Sequence, residues 1–120
     1  AVPQATTTHD VEKIFLAIQN IFDNAIKYSN VGGKIIVSFD SDGKNLQLTI
    51  QDFGIGILES EKEKLFTEFF RGSNAKEMHP MGSGLGLYIA KNIIEQHRGN
   101  IWFESIENKG TTFFITLPIK

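Results

Sequence analysis

The sequence predicts a two-layer α/β (α+β) sandwich: a mixed, mainly antiparallel sheet backed on one face by about three helices. Three observations predict it. Two long segments carry apolar residues at three- and four-residue steps. Two pairs of strand-like segments flank short turns, the first pair alternating apolar and polar residues. Glycines punctuate the boundaries between them.

The first helix is expected over residues 10–29, with Ile14, Ile18, Ile21, Phe22 and Ala25 on its inner face and Asp10 as N-cap. Residues 1–8 are small and polar and read as a tail or a weak edge strand. Residues 34–40 and 45–51 alternate around Ser41-Asp42-Gly43, which predicts a hairpin with Ile35, Val37, Phe39, Leu46, Leu48 and Ile50 on one buried face. Residues 59–64 read as a short charged helix running on toward Leu65 and Phe66. Residues 72–83 have no period and read as a long loop, a length usually kept for function. A second main helix follows over 85–97, with Ile89, Ala90, Ile93 and Ile94 inward and Gly99 placed to end it. Residues 100–105 and 111–117 close the chain as another hairpin.

Composition narrows the function. The chain has 120 residues, enough for one core, and 41% of them are apolar, ten being Phe, which argues against disorder. A net charge of −2 without like-charge blocks gives no sign of a nucleic-acid or membrane surface. There is no cysteine, hence no disulfide or thiol chemistry, which suits a reducing compartment. No stretch has the length and apolarity of a membrane span or a signal peptide. The chain starts on Ala rather than Met, so it reads as a fragment of a longer protein.

Several short patterns carry chemistry. At about 100° per residue, Asn20, Asn24 and Lys27 fall within roughly 60° of one another, beside the apolar face of their helix. Asn carbonyl oxygens are hard ligands that suit Mg²⁺, and a Lys one turn on can neutralise phosphate. Taken alone, a plain polar helix flank is the simpler reading. Asp52-Phe53-Gly54-Ile55-Gly56 ends a buried strand, where glycines allow close backbone approach and a carboxylate can accept from an exocyclic amine. An ordinary Asp–Gly turn fits equally well. Gly82-Ser83-Gly84-Leu85-Gly86-Leu87 opens a helix, whose free N–H groups suit phosphate. It is neither a Rossmann fingerprint nor a P-loop, and a flexible linker is its bland reading. Phe66, Phe69 and Phe70 form an aromatic patch that reads largely as core, with Arg71 at its end placed to reach a phosphate. Thr111 opens the last strand with a hydroxyl that fits a small polar network or simple strand propensity. His97 near a helix C-terminus needs no catalytic role, and His79 in the long loop reads as solvated. His9 is expected to precede the first helix.

The joint order of these patterns is more specific than any one of them. Asn-x-x-x-Asn-Ala-x-Lys-Tyr (20–28), Asp-x-Gly-x-Gly (52–56), a Phe-rich stretch (66–70), Gly-x-Gly-Leu-Gly-Leu (82–87) and Gly-Thr-Thr (110–112) resemble the N, G1, F, G2 and G3 boxes of the catalytic, ATP-binding domain of bacterial histidine kinases. The resemblance runs from about residue 10 to 118 and makes residues 1–120 one such domain, of the gyrase-like ATPase fold with a lid at about 72–81. It implies ATP and Mg²⁺ as cofactors, with ADP as product. Asn24 resembles the main Mg²⁺ ligand and Asn20 its assistant. Lys27 and Tyr28 resemble phosphate or ribose contacts, and Asp52 the acceptor for the adenine amine, with Thr111 and a water beside it. Gly54 and Gly56 would shape the base pocket and Gly82, Ser83, Gly84, Leu85, Gly86 and Leu87 the triphosphate hinge, with Phe69 lining the site and Arg71 supplying charge. Phe53 stands where the family commonly has Asn, and Arg98 where it frequently has Gly; adjusted packing is expected at both.

The family's phosphoacceptor histidine lies in a helical hairpin upstream, and His9 has neither the Pro nor the helix of that context. The implied partner is therefore a separate histidine hairpin domain of the parent kinase, with a response regulator acting indirectly. No nucleic-acid or membrane contact by this domain is expected, and it is expected to be a cytoplasmic monomer in isolation. Three rivals share part of the pattern: an anti-sigma-type serine kinase, a gyrase-type ATPase and a non-catalytic nucleotide-binding module. The first two need an acidic group where Asn20 stands, and an amide cannot act as a general base.

Overall fold

A computed structural model describes residues 8–29, 33–67 and 86–118. Helix α1 (Thr8–Lys27) is followed by strands β1 (Ile35–Ser41) and β2 (Asn45–Asp52), a 3₁₀ helix (Glu59–Lys64), helix α2 (Gly86–Gln96) and strands β3 (Asn100–Ile106) and β4 (Gly110–Pro118). The four strands form one sheet in the order β1-β2-β4-β3. Every pairing among them is antiparallel, so the mixed sheet expected from the sequence is not seen among the described residues.

Both helices pack on one face of this sheet. Ala17, Ile21 and Ala25 of α1 meet Leu87, Ala90, Ile93 and Ile94 of α2 over Ile50, Ile101, Phe113 and Ile115. The other face carries Trp102 stacked on Phe114, with ring centroids 5.3 Å apart and planes within 13°. Among the described residues no helix is long and apolar enough to cross a membrane.

Four expectations need correction. Helix α1 begins at Thr8, so Asp10 lies inside it rather than capping it, and the backbone of His9 is helical rather than preceding the helix. The buried face of α1 turns on Ala17, Ile21 and Ala25, while Phe22 is exposed. Periodicity marks a broad apolar arc, and packing against α2 and the sheet selects Ala17, Ile21 and Ala25 within it. The hairpin is not buried along both strands: Val37 is 51% and Phe39 68% exposed. They share a face with buried Ile50 and half-buried Leu48, their register partners, but β1 is an edge strand and the main helix–sheet contacts are of α1 with β2 and α2 with β3. The last correction concerns the end of α2. Its left-handed residue is Arg98, at φ 64°, and not Gly99. Arg98 N–H donates to the Glu95 carbonyl at 3.0 Å and Gly99 N–H to that of Ile94 at 2.9 Å, the bond pair of a Schellman ending. Gly99 is required for a different reason: a Cβ there would lie 2.3 Å from the Thr116 carbonyl oxygen.

The first hairpin turn forms as the sequence predicts. Asp42 Oδ1 accepts from the N–H groups of Asn45 at 2.7 Å and Lys44 at 2.8 Å, which holds its carboxyl below the usual range.

Candidate functional site

Strand β2 ends on Asp52, which is 6% exposed. Its Oδ1 accepts from Gly54 N–H at 3.0 Å and Thr111 N–H at 3.2 Å. Burial pushes its pKa above the ordinary carboxylate value, because the two N–H donors only partly offset lost hydration. The register puts Ile35, Asp52, Thr111 and Ser105 in one row across the sheet, on the helix-bearing face.

The loop after Asp52 is clamped from two sides. Ile55 N–H donates to the Tyr28 carbonyl at 3.2 Å, joining the loop to the end of α1. A Cβ on Gly54 would lie 1.9 Å from that same oxygen, so only glycine fits there. On the other side Asn108 N–H donates to the Ile55 carbonyl at 2.7 Å, and Gly56, at φ +70°, runs so close to Ile106 that a Cβ would lie 2.3 Å from its carbonyl oxygen. The glycines at 54 and 56 thus serve the tight packing of a polar loop between α1 and the β3–β4 turn.

Helix α1 carries the amide stripe to the same end. Asn20 and Asn24 are half-buried and Lys27 is exposed. Gly86, the first residue of α2, sits against Asn20: a Cβ there would be 3.9 Å from the Asn20 Cβ. The N-terminal end of α2 therefore adjoins the stripe. Asn24 also accepts, through its carbonyl, from Tyr28 N–H at 3.1 Å, one turn before the clamped loop. Among the described residues there is no cluster of three His, Cys, Asp or Glu fit to hold a metal. A cation here would draw on amide oxygens, ligand oxygens and water, a donor set that suits Mg²⁺.

Asn20, Asn24, Tyr28, Asp52, Gly54, Gly56, Gly86 and Thr111 thus meet at one end of the sandwich. Leu87 points its side chain into the core. Phe69, Arg71, Gly82, Ser83, Gly84, Leu85 and the lid expected at 72–81, with His79, lie outside the described residues. Phe66 is half-buried against the core, edge-on to Phe103 and Phe113 at 5.8 and 6.3 Å, with Lys91 Nζ 5.4 Å from its ring centre. His97 Nδ1 lies 2.8 Å from the Ile93 carbonyl, so that nitrogen carries the proton and serves the helix end. A polar depression of about 210 Å³, lined among others by Asp40, Gln47, Asn100 and Thr116, opens on the opposite face at the far ends of the strands and touches none of the motif residues.

Ser105 is not among the residues that the sequence patterns single out. It is buried beside Thr111, with the two hydroxyl oxygens 2.8 Å apart. No motif marks it. Only the strand register, which sets it opposite Thr111, reveals it.

Comparison with known proteins bears on the fold and the family. Residues 9–120 match the family described as histidine kinase-, DNA gyrase B- and HSP90-like ATPase. The sensor histidine kinase WalK of Bacillus subtilis is 43% identical over 113 residues, covering 92% of this chain and 18% of that protein. The chain thus spans less than a fifth of that relative's length. The mycobacterial sensor histidine kinase MprB superposes with a TM-score of 0.76 at 36% identity, over 86% of this chain and 70% of that one. The nucleotide-free catalytic domain of histidine kinase ThkA gives 0.74 at 32%, over 89% and 67%. The chain therefore belongs to the histidine kinase-, DNA gyrase B- and HSP90-like ATPase family, as a nucleotide-binding catalytic domain of the sensor histidine kinase type.

Proposed function

We propose that the chain, taken as one catalytic domain over residues 1–120, binds Mg-ATP and presents the γ-phosphate to a histidine on a separate dimerisation hairpin, leaving ADP. The observation that carries this reading is a double attachment of α1. Its Asn20 adjoins the N-terminus of α2, and Tyr28, the residue that follows the helix, is bonded to the loop after buried Asp52. One rigid helix therefore links an acceptor fit for a base amine to amides fit for a cation and to N–H groups fit for phosphate.

In this reading Asp52 receives the adenine amine, with Thr111 beside it. Asn24, assisted by Asn20, would hold Mg²⁺, which supplies positive charge to the phosphates when bound. Lys27 adds a cation one turn on. Arg71, Phe69 and the 82–85 loop complete the site by resemblance. Phosphoryl transfer depends mainly on positioning and charge neutralisation, and these residues are of the kind that provides both. The acceptor histidine belongs to the partner domain, and a response regulator receives the phosphoryl group from there. The domain works on the cytoplasmic side, where ATP is available.

The test is to mix the chain with a separate histidine-bearing hairpin domain and labelled ATP. Acid-labile phosphohistidine on the hairpin is the expected product. Phosphoserine on a partner, or steady ATP hydrolysis with no phosphoprotein, would overturn the assignment.

A further inference from the structure

The Ser105 hydroxyl has three neighbours and one proton. Its Oγ is 2.9 Å from Ile57 N–H, 2.9 Å from the Gly110 carbonyl oxygen and 2.8 Å from Thr111 Oγ1. An N–H only donates and a carbonyl only accepts. Ser105 must therefore accept from Ile57 and give its proton to Gly110. The contact to Thr111 is then satisfied in a single way: Thr111 donates its hydroxyl proton to Ser105. What Thr111 keeps is lone pairs. Next to it in the row stands the Asp52 carboxylate, also an acceptor, with Oδ1 already engaged by two N–H groups.

We propose that Ser105 is a positioning residue for base selectivity: by taking the Thr111 proton it makes the Asp52–Thr111 pair a purely accepting edge, which favours 6-aminopurine over 6-oxopurine nucleotides. The inference rests on the reading of this row as the base-binding end. A 6-amino group brings N–H donors to that edge, directly or through a water. A 6-oxo group brings an acceptor, leaving acceptor facing acceptor at an unpaired cost. If the Thr111 hydroxyl could turn round and donate, it would tolerate the oxo group.

The experiment compares the affinities of the chain for Mg-ATP and Mg-ITP, which differ at the 6-position and the adjoining N1 proton, by calorimetric titration at mildly alkaline pH. The wild type is expected to prefer ATP. Ser105→Ala frees the Thr111 proton and should lower the ATP-to-ITP affinity ratio by about fivefold. Ser105→Thr keeps a hydroxyl and should keep the ratio. Thr111→Val should lower the ratio alone, and adding Ser105→Ala to it should lower it no further, because Ser105 acts through Thr111. A purely structural role would weaken both nucleotides equally; an unchanged ratio in Ser105→Ala overturns the proposal while leaving nucleotide binding intact. Equal affinity of the wild type for both nucleotides overturns it as well. No ATP binding by the wild type would overturn the underlying reading instead. Should Ser105→Ala fail to fold, Thr111→Val against Thr111→Ser decides, with an unchanged ratio in Thr111→Val counting against the proposal.

Discussion

At the Asp52 end of the site several polar groups already have partners inside the protein. Asp52 Oδ1, the Ser105 hydroxyl and the carbonyls of Tyr28, Ile55 and Gly110 all take part in hydrogen bonds, and glycines bring three chain segments into backbone contact. The α1 stripe is built differently. The Asn20 and Asn24 amides are half-buried and have no hydrogen-bond partner among the described residues. One end is held by the fold's own hydrogen bonds, and the other presents amides without them among the described residues. Substitutions that break these internal contacts at the first should therefore injure folding and binding together, and substitutions at the second should injure binding alone.

Gly54→Ala is the severest way to break that contrast. The added methyl would overlap the Tyr28 carbonyl, and backbone must move. A loss of at least about 3 kcal/mol in urea unfolding followed by circular dichroism is expected. A loss under about 1 kcal/mol would show that the loop is not clamped as described. Asn24→Ala probes the other end. Mg-dependent affinity for ATP should fall by about 100-fold in calorimetric titration, while thermal stability stays within a few degrees. Equal affinity would remove Asn24 as the metal ligand, and a collapse in stability would erase the distinction between the two ends.

Asp52→Asn sharpens the comparison with opposite signs. Burial raises the Asp52 pKa, so the fold binds that proton more tightly than the unfolded chain does. This contribution is fully present below the ordinary carboxylate pKa and is lost as pH rises through the raised folded value. At neutral pH the chain carries the cost of a buried charge. Asn keeps an oxygen for Gly54 and Thr111 without that charge. Its unfolding free energy at neutral pH should rise by about 1 kcal/mol and lose that pH dependence, while nucleotide affinity drops. Parallel pH profiles for both chains would refute it. Arg98→Gly, remote from either end, is the smallest. It relieves a left-handed arginine and should stabilise the chain by about 0.5–1 kcal/mol without changing affinity. Destabilisation would mean that the Arg98 side chain contributes more than its backbone costs.

Much of this architecture was legible in the residues. The periods of α1 and α2, the alternation of the strands and the Ser41-Asp42-Gly43 turn placed each described element within a few positions. The motif order alone singles out Asn20, Asn24, Asp52 and Thr111. What stayed hidden depends on neighbours distant in sequence. Alternation says that Val37 and Phe39 share a face, but the position of β1 at the sheet edge decides that this face stays open. A glycine after a helix advertises its end, yet here the neighbouring Arg98 takes the strained conformation because Gly99 is needed against Thr116. Ser105 looks like any strand serine until the register sets it beside Thr111.

The stacked pair on the open sheet face has a practical consequence. Trp102 is the single tryptophan of the chain, and it lies across the sheet from Asp52, Thr111 and both helices. Its ultraviolet emission will follow the unpairing of β3 from β4 and stay blind to what occupies the site. Optical melts of the sheet can thus be run with nucleotide present, and any shift in midpoint read as linkage to binding rather than as quenching of the dye by its ligand.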